Sequence, residues 1–116
     1  MAKRGLTGFL SVFEDIGRQF YDLETDLLVM LDEQGLIEDV NPAFEAELGR
    51  TKIEVLGTPL MRLIHIGDLA EFIREFYEPR SRLFRMLKKD SGEIVVRLIA
   101  CRFRKGQGYI ILRRTM

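Results

Sequence analysis

The sequence predicts an α+β domain: a five-stranded antiparallel sheet with short helices packed on one face, preceded by an N-terminal amphipathic helix. Three observations carry that prediction. Two apolar runs, 27–32 and 36–40, flank the turn Asp32-Glu33-Gln34-Gly35 and read as a hairpin. A cluster of helix starts and stops follows between Asn41 and Pro79. Three further strand-like runs, separated by Asp90-Ser91-Gly92 and by Lys105-Gly106-Gln107-Gly108, close the chain as a meander. Strands gathered at both ends with helices between them argue for one layer of helices on one sheet.

Residues 5–21 place Phe9, Phe13, Ile16 and Phe20 at spacings of four, three and four, the stripe of an amphipathic helix. Gly8 and Gly17 weaken it by ~1 kcal/mol each relative to Ala. Residues 1–21 are therefore expected to form a helix that dimerises or caps the domain, and 22–116 the domain itself. The near-continuous apolar run from Leu27 reads as a buried strand. Asn41 precedes Pro42, a strong cap before a residue pre-organised for the first helical turn. Gly49 is the expected left-handed stop. Thr51 caps a second short helix that ends at Gly57, and Pro59 to Ile64 begin another turn. Asp68 is expected to cap a longer helix, 69–78, with Leu69, Phe72, Ile73 and Phe76 inward and Pro79 as terminator. Strands are then expected at 82–89, 93–104 and 109–113. Leu87, Val95, Ile99 and Phe103 cannot share one face with Val96, Leu98 and Ala100, so the sheet must be covered on both sides.

Gly35, Asn41-Pro42-Ala43-Phe44, Leu48-Gly49, Gly57-Thr58-Pro59, the Leu63-Ile64-His65-Ile66-Gly67-Asp68 turn and the Lys88–Glu93 turn form an ordered set. In that order they resemble the PAS domain family, over residues 22–116. The resemblance implies a sheet in which the first hairpin lies beside the later strands of the meander. It also implies a regulatory role within a larger signalling protein, such as a histidine kinase, a cyclic-dinucleotide enzyme or a transcription regulator, rather than catalysis by the domain itself. The family's last strand commonly exits through Asp-Ile-Thr; here Leu112-Arg113-Arg114-Thr115-Met116 keeps the Thr and lacks the Asp.

At 116 residues, 47% apolar and 31% charged, the composition is that of one globular domain. No apolar run approaches the ~18–20 residues of a membrane span. The Met-Ala-Lys-Arg start leads into an amphipathic stretch rather than the solid apolar core of a signal peptide. A single cysteine, Cys101, excludes an internal disulfide and fits a reducing compartment, so a cytoplasmic location is expected. Net charge is zero, yet residues 1–58 carry five Lys/Arg against twelve Asp/Glu, leaving thirteen against six for the rest. Arg97, Arg102, Arg104, Arg113 and Arg114 raise the question of nucleic acid. Their alternation along strands reads instead as solvated faces and pairing with the acidic half, so no nucleic-acid partner is expected.

His65 is the only histidine. Without companions at ligand spacing it reads as an imidazole bonding local backbone rather than a metal or haem ligand. The flavin branch of the family carries its reactive Cys in a Gly-x-Asn-Cys-Arg pattern; the matching stretch, 52–60, has none, and Cys101 reads as a small packing residue. No cofactor is expected, and Asp32-Glu33, Glu38-Asp39 and Glu45/Glu47 read as solvated faces. By the resemblance, a pocket for a small apolar ligand would be lined by Met30, Phe44, Leu48, Leu56, Leu60, Met61, Ile64, Ile73, Phe76, Phe84, Met86 and Leu98. The same side chains also make a closed core. A homodimer is expected through Phe9, Phe13, Ile16 and Phe20 with Ile99 and Phe103. The alternative to a sensor is a purely structural dimer module with a filled core.

Overall fold

The computed structural model describes residues 22–104 and 106–115, so the expected helix over residues 5–21 and its stripe lie outside the described residues. Strands β1 (Leu27–Asp32) and β2 (Ile37–Val40) form the first hairpin. Helices α1 (Pro42–Leu48), α2 (Lys52–Val55) and α3 (Leu69–Glu75) follow, with 3-10 turns at Leu60–Leu63 and Ile66–Asp68. Strands β3 (Leu83–Leu87), β4 (Glu93–Arg104) and β5 (Gln107–Thr115) complete an antiparallel sheet of order β2-β1-β5-β4-β3. The hairpin therefore sits against the last strand, as the resemblance implies.

The local signals act as the sequence suggests. The Asn41 side chain caps α1, and Gly49 ends it at φ 66°, a left-handed conformation open to glycine. Thr51 and Glu54 form a reciprocal capping box on α2. Asn41 does more than cap. Its Oδ1 accepts from the N–H groups of Phe44 (3.1 Å) and Leu28 (3.0 Å), while Nδ2 donates to the carbonyls of Asp26 (2.8 Å) and Leu23 (3.1 Å). One buried amide thus ties the helix start to the head of β1.

Two expectations about α3 fail. Asp68 makes no side-chain cap bond to α3. Its carboxylate turns to β3 instead, accepting from the Arg85 backbone N–H (2.8 Å), Nε (2.9 Å) and Nη2 (3.0 Å). A bidentate guanidinium with a third bond outcompetes a single cap bond. The helix also stops at Glu75 rather than at 78. The Glu75 carboxylate, 3% exposed, folds the chain back by accepting from the N–H groups of Arg80 (3.1 Å) and Ser81 (2.9 Å) and from Arg82 Nη1 (2.8 Å).

The main core lies between the helices and the inner sheet face. Leu27, Val29 and Leu31 of β1 meet Phe44, Leu48, Phe72, Phe84, Met86, Ile110 and Leu112 there. A second cluster, Leu28, Met30, Tyr109 and Ile111, occupies the outer face. The charged halves pair across the fold: Arg113 with Asp26 (2.9 Å), Arg114 with Glu47 (2.5 Å) and Lys89 with Glu54. Each of these pairs joins a carboxylate of the acidic first half to a cation of the basic second half. No helix among the described residues is long and apolar enough to cross a membrane.

Candidate functional site

The site is built from the far ends of β1, β4 and β5 and from α3. A bulge in β4 decides its lining. Leu98 pairs with Leu112, but Ala100 pairs with Ile111, so Ile99 is an extra residue in the strand. Before the bulge, Val96 and Leu98 face the main core; at it, Ile99 and Ala100 pack on the outer cluster. Beyond it the parity has changed. Phe103, expected on the outer face at a dimer contact, lies on the helix side with its ring edge-on to Phe76 at 5.7 Å.

Four aromatic rings consequently run in sequence from the core to the surface. Phe84 meets Phe72 at 5.2 Å, Phe72 meets Phe76 at 5.2 Å, and Phe76 meets Phe103, all edge-on, the favoured geometry for ring quadrupoles. Phe84 is fully buried and Phe103 is 54% exposed. Where this row reaches the surface a groove of about 620 Å³ opens, lined by Leu31, Leu60, Met61, Phe72, Ile73, Phe76, Tyr77 and Phe103. Asp32, Glu33, Arg104 and Gln107 border it. The volume falls within the ~300–1,000 Å³ of small-molecule sites, and apolar walls with polar groups at the rim are the usual chemistry of such sites.

The expected pocket residues divide. Leu60, Met61, Ile73 and Phe76 line the groove. Phe44, Leu48, Ile64, Phe84 and Met86 are buried in the main core, with Leu98 packed against it, away from the groove. Leu56, at the C-terminal end of α2, is exposed and does not line this groove. Met30 belongs to the outer cluster, because the alternation of β1 gives the inner face to Leu27, Val29 and Leu31. Phe72, Tyr77, Leu31 and Phe103 were not expected in a pocket. Phe72 and Phe76 at an i,i+4 spacing were a usable signal for the first; the bulge had none.

The titratable residues play supporting roles. Burial alone would raise the Glu75 carboxyl, but the Arg80 and Ser81 N–H groups and the Arg82 guanidinium outweigh it and hold it below the usual range. The hydrogen bonds from Arg85 hold the Asp68 carboxyl low as well. His65 Nδ1 accepts from the Gly67 N–H (2.9 Å), the expected local backbone bond. Cys101 is exposed rather than packed, and desolvation and then the nearby Glu75 carboxylate push its thiol up, away from thiolate reactivity. Among the described residues no three His, Cys, Asp or Glu side chains are grouped to hold a metal ion.

Residues 15–113 match the family model for the PAS fold. The chain belongs to the PAS family. Solved PAS domains share its architecture. One from Colwellia psychrerythraea is 23% identical with a TM-score of 0.68, covering 95% of this chain and 96% of that one. The PAS domain of an HTR-like protein from Haloarcula marismortui is 21% identical with a TM-score of 0.64, covering 94% and 96%. The PAS domain of the Cronobacter turicensis RpfR quorum-sensing receptor, in complex with C12:0, is 18% identical with a TM-score of 0.59, covering 79% and 95%. No curated protein sequence matches the chain. PAS domains are sensory and signalling modules, typically regulatory; some bind small ligands, and they often dimerise.

Proposed function

We propose that this chain is the sensory and regulatory module of a signal-transduction protein, that it works in the cytoplasm as a homodimer, and that it receives a small apolar ligand. The groove beneath α3 carries the reading: it is apolar, open to the surface and of ligand size. Its occupant would touch Phe76 and Phe103, and through Phe72 would bear on Phe84 at the centre of the core. A ligand that favours one packing of this row over another shifts α3 against the sheet, and an attached effector such as a kinase, a cyclic-dinucleotide enzyme or a transcription regulator would read that shift.

The burial of Phe44, Leu48, Phe84 and Met86 in the main core supports a second reading, a structural dimer module with a filled core and no ligand. Native mass spectrometry of the purified protein, followed by titration with C12:0 as a first apolar probe, separates the two. Retained small-molecule mass, or saturable C12:0 binding that Ile73→Asp weakens about tenfold or more, supports the sensor. A bare chain with no binding, or binding that Ile73→Asp leaves unchanged, favours the filled-core module. The homodimer is checked by the same native masses. Of its expected contacts Ile99 keeps an outer-face position, whereas Phe103 does not.

A further inference from the structure

The groove changes character over one step of the sheet. Leu31, Gly108 and Phe103 stand side by side across β1, β5 and β4, and Asp32, Gln107 and Arg104 form the next row. Successive rows lie ~3.4 Å apart along the strands, so the apolar wall ends abruptly in a polar one. Exposure follows the same direction. Leu31, Leu60 and Phe72 at the floor are at most 5% exposed, whereas Tyr77 and Phe103 at the mouth are 81% and 54% exposed. An occupant therefore meets an apolar floor and a mouth that combines exposed aromatic rings with charge.

The excess charge at that mouth is negative. Asp32 and Glu33 border it against a single guanidinium, Arg104, which is already engaged within the chain. Glu33 is exposed and has no hydrogen-bond or ion-pair partner among the described residues. Asp32 is held by its own turn: Oδ1 accepts from the N–H groups of Gln34 (2.8 Å) and Leu36 (3.0 Å), which leaves Oδ2 uncommitted among the described residues. An anionic head placed here would face two carboxylates. A cationic head would be attracted by both, and by the quadrupoles of the neighbouring rings as well.

We infer, building on the sensor reading above, that the groove selects an amphiphilic organic cation. Its aliphatic or aromatic body sits on Leu31, Leu60 and Phe72, and its ammonium head lies at the mouth beside Tyr77, Phe103 and the carboxylates of Asp32 and Glu33. The apolar walls then supply affinity, and the charge at the mouth supplies specificity against fatty acids of the same length.

Calorimetric titration of the full-length chain at low salt and pH 7 tests this with three probes of equal chain length: decyltrimethylammonium, decanoate and 1-decanol, each kept below its micellar or solubility limit. Decyltrimethylammonium should bind about tenfold more tightly than decanoate. Asp32→Asn keeps the Oδ1 acceptor of the turn, and combined with Glu33→Gln it should erase that preference. Glu33→Lys, at an exposed position, should reverse it, and serves alone if the double variant does not fold. Binding of 1-decanol that Ile73→Asp weakens reports on the groove itself. If 1-decanol behaves so while decanoate binds as tightly as the cation, the groove holds ligands but the charge selection is overturned. A cation preference that survives both carboxylate changes overturns it too, since the charge would then lie elsewhere. Binding of none of the three probes ends both the selection and the groove reading.

Discussion

The ring of Phe103 occupies the space that a side chain on Gly108 would need. The two residues pair across β4 and β5, and a Cβ at 108 would come within 2.1 Å of Phe103 Cδ1 and 2.6 Å of Cε1. Glycine at 108 therefore lets the aromatic ring lie over the strand and reach Phe76. The last ring of the row, and one wall of the groove, depend on an absent methyl group.

Gly108→Ala should displace Phe103 and break its contact with Phe76. The expected cost is about 1–3 kcal/mol, as for other overpacking substitutions. Phe103→Ala should cost only about 0.5–1.5 kcal/mol, because the ring is half exposed and loses mainly its edge contact. Urea unfolding of both variants decides it. If Gly108→Ala costs no more than Phe103→Ala, the close approach is not the constraint.

Asn41 is the second test, because its roles as a cap and as a strand tie can be separated. Asn41→Ala removes four hydrogen bonds at a buried position and should cost about 3 kcal/mol. Asp is as good a cap as Asn in general. Here Asn41→Asp points carboxylate oxygen at the carbonyls of Leu23 and Asp26, where Nδ2 had donated. Asn41→Asp should therefore be no more stable than Asn41→Ala at neutral pH. Equal stability of Asp and Asn at this site would reduce Asn41 to a simple cap.

These residues also show what was legible in the sequence. The Asn41-Pro42 start, the Gly49 stop and the Thr51 box act within a few residues of themselves, so their signals survive folding intact. The face of Met30 was not legible, because the run Leu27–Leu31 is apolar throughout and no polar alternation marks a side. The bulge at Ile99 was not legible either: no Gly or Pro announces it, and it alone moves Phe103 from the outer face to the groove. Asp68 and Glu75 find partners at Arg85 and at 80–82, and such tertiary competition leaves no local trace. The four groove residues that were anticipated came from the family resemblance and from the spacing of α3. The split between the groove and the main core shows how far that resemblance carries: Leu60, Met61, Ile73 and Phe76 reach the groove, while Phe44, Leu48, Phe84 and Met86 do not.

Acid should weaken the fold through two carboxylates. Both Glu75 and Asp68 have folded-state values below their ordinary range. A depressed carboxyl contributes stability that is present above its unfolded value and is lost as pH falls through the folded one. Stability should therefore hold from neutral pH down to about 4, then drop as both groups protonate. Asp68→Asn should flatten that drop while lowering stability at pH 7. The check is the urea midpoint measured from pH 7 to 3; an unchanged acid slope in Asp68→Asn would remove Asp68 from the account.

The last prediction concerns how α3 is held over the groove. Ser81 has a φ of 57°, unusual for a residue with a side chain, and its N–H donates to the buried Glu75 carboxylate. Glu75 thus stabilises a strained turn and fixes the end of the helix that carries Ile73 and is capped by Phe76. Glu75→Gln keeps one acceptor for Arg80 and Ser81 but turns an amide toward the Arg82 guanidinium, which donates there now. It should cost about 2 kcal/mol. Ser81→Gly relieves the backbone strain but adds unfolded-state entropy, and should change stability by less than about 1 kcal/mol. In the double variant the two effects should not add, since the strained turn and its anchor form one unit. A double-mutant cycle by urea unfolding measures this directly. Strict additivity would mean that Glu75 stabilises the helix end without holding Ser81, and the row of rings would then owe its position to packing alone.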